Sequence, residues 1–219
     1  MDLSTFTPSS ALLTVVILTL APFVAIMVTS FTKIVVVLSL LRNALGVQQV
    51  PPNLVLNGLA LVLTIYVMYP VGRTMVAELE GRGDVMADSA SLLGAMDAAK
   101  EPLREFMIEH SNEREREFFL ATVRRMERET GEDREPPAAT DLIVVLPAFT
   151  VSELTEAFQI GFLLFLPFIV IDLVISNILM AMGMMMLSPT IVSLPFKLLL
   201  FVLIDGWTRL SHGLVTSYL

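Results

Sequence analysis

Apolar and polar positions divide this chain into two greasy stretches with a polar one between them. Ala11 to Thr32 carries no charge; Lys33 follows, and the apolar pattern resumes to Leu41. A spanning helix needs about 20 apolar residues, so this stretch is long enough to cross a bilayer with tilt. Pro22 lies inside it and predicts a kink, because proline removes a backbone donor and clashes one turn back. Asn43 and Gly46 are natural terminators, and Pro51-Pro52 opens the next element. Pro51 to Gly72 is again uncharged, so residues 1–77 are expected to form an apolar helical hairpin.

Beyond Arg73 the pattern changes, and residues 78–141 read as a polar insert. Between Glu113 and Glu129, Phe119, Val123 and Met126 fall at i, i+4 and i+7 with charges on the other faces, which predicts an amphipathic helix. Leu92 to His110 predicts a weaker helix broken at Pro102, and Gly131 to Pro137 reads as a linker. Apolar runs return over residues 142–219. Ala157 to Ile171 and Leu173 to Phe196 are interrupted only by Asp172 and punctuated by Pro167, Gly183, Pro189 and Pro195. A last helix is expected from Lys197 to Leu219, where Trp207, Arg209, His212 and Tyr218 suit a membrane interface. The expected fold is all-α: four long apolar helices, paired as membrane-associated hairpins over 1–77 and 142–219, around a small amphipathic helical insert. Helices follow because backbone groups in lipid must be satisfied within their own segment.

Composition sharpens this picture. Of 219 residues 55% are hydrophobic, and the mean hydropathy of +0.75 exceeds what a soluble domain needs. Net charge is −8, and residues 78–135 hold 16 acidic and 9 basic side chains, so the excess sits in the insert. No basic face is present for nucleic acid. The absence of cysteine excludes disulfides, thiolate metal sites and cysteine nucleophiles. No Lys or Arg precedes Lys33, so the basic start of a cleavable signal is missing, and the first apolar run is read as part of the mature chain. Basic residues concentrate in the insert, yet polar segments of about 60 residues translocate largely regardless of charge, and orientation stays open.

Charge inside apolar helices costs about 2.5–3.5 kcal/mol per residue on insertion scales and needs an explanation. The residues concerned are Lys33, Asp172, Lys197 and Asp205, with Glu153 and Glu156 at the edge of a run. Proton relay, ion coordination and pairing of opposite charges are the options; pairing is the plainest, because isolated buried charge is expensive. Asp172 and Asp205 raise an intramembrane aspartyl protease, in which two carboxylates share a proton. The segment Ile204-Asp205-Gly206-Trp207 lacks the glycine-flanked pattern of such enzymes. HExxH, GxSxG, GxxxxGK[ST] and GxGxxG are all missing, and His110 and His212 are isolated. No enzyme, metal site or cofactor is expected. A small-solute transporter using Lys33 and Asp172 is the alternative, although the two hairpins show no inverted repeat.

The run Met180, Met182, Met184, Met185 and Met186 is the most unusual feature. Successive helix positions point about 100° apart, so consecutive methionines cannot share one core stripe. They either fill gaps in a core or build a flexible constriction, for which unbranched, adaptable thioethers are suited. Gly183 and Pro189 let the backbone leave helical geometry there.

Two segments carry a resemblance. Pro147 to Phe162 (PAFTVSELTEAFQIGF) and Pro195 to Trp207 (PFKLLLFVLIDGW) resemble the signature segments of the SctR/YscR/FliP family of export-gate proteins of type III secretion systems. Ser30 to Pro52 and Met180 to Pro189 look the same way, and residues 78–141 are the least alike. The resemblance implies a pentamer that assembles with SctS-like and SctT-like subunits into a conical gate, beside SctU-like and SctV-like components. The gate lies in the bacterial inner membrane and projects toward the periplasm, and unfolded secreted proteins pass through it. It further implies a pore gasket at Met184, Met185 and Met186, a structural ion pair between Glu153 and Lys197, and a periplasmic insert. Family members look transmembrane by hydropathy yet sit largely above the bilayer plane once assembled. The missing leader points to the virulence rather than the flagellar branch.

Overall fold

The computed structural model describes residues 8–47, 49–80, 100–130, 136–184 and 186–219. Among these the chain is all-α, without a strand. In order come α1 (Pro8–Met27), α2 (Phe31–Leu45), α3 (Asn53–Val67), α4 (Tyr69–Glu80), α5 (residues 100–109), α6 (Glu113–Thr130), α7 (Leu142–Ala181), α8 (Pro189–Leu203) and α9 (Gly206–Thr216).

The apolar runs are cut at places the sequence pattern did not mark. The first run breaks at Val28-Thr29-Ser30, while Pro22 stays inside α1. Hydroxyls compensate the break: Thr29 Oγ1 donates to the Ala25 carbonyl at 2.7 Å and Thr32 Oγ1 to that of Ile26 at 2.9 Å. The second run breaks at Met68, just before Pro70, whose missing N–H cannot close a helical bond back to Tyr66. The expected last helix is two: α8 and α9 meet at 61° across Ile204 and Asp205. By contrast α7 runs unbroken for 40 residues through Pro147, Pro167 and Asp172. At 1.5 Å per residue it is about 60 Å long, twice the hydrocarbon thickness of a bilayer. The described part of α5 passes through Pro102 without breaking.

The described residues group into two compact units. One unit takes residues 1–32 and 68–153. Its core includes Phe106, Met107, Val144, Val145, Ala148 and Phe149, with Phe106 and Phe149 edge-to-face at 5.8 Å. The predicted α6 is present. Asn112 caps it by accepting from the Arg114 N–H at 3.0 Å, and Glu113 and Glu115 stand in its first turn, where the helix dipole favours acids. Phe119 and Val123 are half-buried, whereas Met126 of the same predicted face is exposed. Arg116 reaches back to the carbonyls of Ile108 and Ser111, and the Asn112 N–H donates to Ser152 Oγ of α7 at 2.8 Å, which ties the insert to that helix. Arg104 donates to Glu101 at 2.6 Å, and this hydrogen bond pushes the guanidinium pKa further up.

The other unit takes residues 33–67 and 154–219. Ile34, Val37, Leu38, Leu41, Ala44 and Leu45 make a continuous buried stripe on α2, and α9 packs against α3 and α8. Of α3 only Leu56, Ala60 and Thr64 are buried. Gly161 of α7 lies so close to α2 that a Cβ there would sit 2.2 Å from Leu40 Cδ1.

Candidate functional site: buried lysines and a thioether loop

Within the second unit, the buried lysines Lys33 and Lys197 each have an acidic partner. Lys33, 1% exposed, places its Nζ 2.7 Å from Glu156 Oε2 and 3.9 Å from the centre of the Tyr218 ring. The ring face adds cation–π attraction where water is excluded. Lys197, 4% exposed, donates to Asp172 Oδ2 at 2.7 Å and to the Ala44 carbonyl at 3.2 Å. That carbonyl belongs to the last turn of α2, where unpaired backbone oxygens concentrate negative charge. Ser193 Oγ, one turn before Lys197 on α8, donates to Asp172 Oδ1 at 2.5 Å. Both carboxylate oxygens of Asp172 are therefore engaged, and one network joins α2, α7 and α8. Gly46 closes α2 with a φ of +78°, a left-handed backbone that glycine adopts without strain.

Within this chain the Lys197 ammonium goes to Asp172 and to a helix end, and a pairing with Glu153, between or within subunits, remains an expectation. Asp172 of α7 lies within direct hydrogen-bond distance, and Ser193 donates to its other oxygen. Glu153 is fully buried in α7, in the first unit. Asp205 is exposed in the left-handed conformation (φ 53°) at the start of α9, and its side chain makes no cap hydrogen bond. Gly206 follows because a Cβ there would strike the Phe201 ring at 2.2 Å. With Asp172 bound to lysine and serine, the carboxylate pair of an aspartyl protease finds no support. No cluster of three His, Asp or Glu that could hold a metal occurs among the described residues.

The methionine run begins at the end of α7 and forms its loop to α8. Gly183 adopts φ +73°, its N–H bonds the Met180 carbonyl at 3.0 Å, and the Met184 N–H bonds that of Leu179 at 2.9 Å. These two bonds form a Schellman cap, which fixes where the chain leaves the helix. Ser188 and Pro189 start α8, proline fitting the first helical position, where no donor is needed. Between the caps Met182 is 60%, Met184 42% and Met186 101% exposed; Met185 lies outside the described residues. These thioethers fill no core in the chain by itself.

Gly46 was read from sequence as a helix terminator, whereas the roles of Ser193, Gly161 and Tyr218 in these contacts were not. Ser193 alone left a signal, sitting four residues before Lys197 on one helix face.

Fold and site together define a helical membrane protein with neutralised internal charge, uncovered apolar helix faces and an exposed thioether loop. In the described residues α7 is by itself long and apolar enough to span, with a mean hydropathy of 2.5 in its best window, and the interrupted pairs α3–α4 and α8–α9 would add spans if each acts as one. The chain belongs to the FliP family, whose model matches residues 12–214. It is 54% identical over 202 residues to Yop proteins translocation protein R of Yersinia pestis, covering 92% of each chain. It is 52% identical over 211 residues to pathogenicity-related ORF2 of Xanthomonas campestris pv. glycines (96% of each). To hypersensitivity response secretion protein HrcR of Ralstonia nicotianae it is 50% identical over 218 residues, covering 96% of this chain and 97% of the relative. Names drawn from pathogenicity, Yop translocation and hypersensitivity set it with the virulence branch.

Proposed function

We propose that this chain is a core subunit of a type III secretion export gate, a mechanical rather than catalytic component. The observation that carries the reading is family membership across residues 12–214, with relatives about half identical over nearly their whole length. The chain works within a larger machine: several copies, a pentamer by family resemblance, assemble with SctS-like and SctT-like subunits, beside SctU-like and SctV-like components. The gate sits in the inner membrane and projects toward the periplasm, with the insert on that side, and unfolded proteins pass through it.

Met184, Met185 and Met186 from each copy form the seal. The Schellman cap and exposed thioethers support this, since a fixed loop presents soft apolar side chains where other copies can meet them. Thioethers close against one another and still yield to polypeptides of varied shape. The buried networks at Lys33 and Lys197 hold the helices beneath the loop without leaving unpaired charge.

Replacing Met184, Met185 and Met186 with alanine should make the inner membrane leak ions and small molecules while the complex still assembles. A tight membrane with unchanged secretion would remove the seal from this account.

A further inference from the structure

The helix α8 follows the methionine loop directly, so whatever holds α8 also holds one end of that loop. The side chains that α8 buries within its own chain are Ser193, Lys197 and Phe201, one stripe at i, i+4 and i+8. Phe201 serves α9, where its ring meets Trp207 edge-to-face at 5.4 Å. The two polar members both end on α7, at a single carboxylate: Ser193 Oγ donates to Asp172 Oδ1 at 2.5 Å and Lys197 Nζ to Asp172 Oδ2 at 2.7 Å. These bonds lie inside the chain and do not depend on what covers its outer faces.

Apolar contact is non-directional and weakens gradually as helices slide, whereas hydrogen bonds fail steeply with distance and angle. A helix held through one carboxylate therefore has two arrangements, held and released, and both bonds are lost together. Release does not strand the lysine, because its ammonium also donates to the Ala44 carbonyl at the negative end of α2, at 3.2 Å. With that contact and the Phe201–Trp207 contact kept, α8 can pivot at its far end while its first turns swing off α7. We propose that Asp172, gripped by Ser193 and Lys197, is a breakable latch that clamps α8 to α7 while the methionine loop is shut and lets α8 go when a polypeptide passes. This inference rests on the seal proposed above and adds to it the contact that must break for the seal to open.

The test exploits the absence of cysteine. In the assembled complex, Asp172→Cys with Ser193→Cys removes the latch and supplies two thiols in its place. Inner-membrane vesicles carrying this pair should lose an imposed ion gradient several-fold faster than wild type. A short, cleavable thiol cross-linker should restore the gradient and, in cells, block secretion; cleaving the linker should reverse both. An assembled double variant that holds the gradient, or a cross-linked complex that secretes normally, would overturn the latch. Should the pair prevent assembly, Ser193→Ala decides: a faster leak from an intact complex supports the latch, and a tight membrane overturns it. The methionine-to-alanine variant separates the two readings. If it leaks and the cross-linked complex still secretes, only the latch falls; if it is tight, the seal falls and the latch with it.

Discussion

Lys197 is held by a carboxylate, a helix-end carbonyl and, through Asp172, a serine hydroxyl, so removing one partner should be felt by all. Orphaning a buried charge costs about 3–5 kcal/mol. The Asp172 side chain is 32% exposed, so water recovers part of this, and Asp172→Asn is expected to lower stability by about 2 kcal/mol. Lys197→Met in that background removes the stranded cation and should return most of the loss. Thermal unfolding of the detergent-purified complex measures both, and a double variant no more stable than Asp172→Asn alone would contradict the network. The members Lys33, Asp172 and Lys197 were legible in the sequence, because charge within apolar helices stands out. Which of them pair with which was not. Pairing depends on which helices the tertiary fold brings together, and residues 25 apart, as Asp172 and Lys197 are, show no shared periodicity across a loop.

Helix type and content followed from periodicity: all-α over apolar runs, and an amphipathic α6 starting at Glu113. Helix ends were less legible. Pro22, Pro102, Pro147 and Pro167 all lie within helices, while the breaks fall at Val28-Thr29-Ser30 and at Ile204-Asp205, where hydroxyl bonds and a left-handed residue decide the path. Proline costs a helix one hydrogen bond, and packing on neighbouring helices outweighs that loss. The contact of α2 with α7 can be tested through Gly161. Its Cβ space is filled by Leu40, so Gly161→Ala should destabilise by about 1–3 kcal/mol through overpacking. Leu40→Ala added to it should recover part of the loss, and additive losses from the two changes would place the contact elsewhere.

At the scale of the molecule, the chain exposes what a finished protein covers. The most apolar window of α7 is only 11% buried, and Phe158, Phe162, Leu163, Val170 and Leu173 stand outward along it. In the described residues, a bilayer can cover roughly half of a helix about 60 Å long, which leaves the rest for protein. Hydropathy alone suggested four spans, because it registers an uncovered apolar helix without identifying what covers it. The family match over residues 12–214 agrees with the resemblance, which sets the chain within a larger machine. The most direct test of this account is native mass spectrometry of the chain purified in mild detergent after co-expression with SctS-like and SctT-like neighbours. The account predicts one stable hetero-oligomer with several copies of this chain; a lone, folded monomer with its neighbours left behind would contradict it.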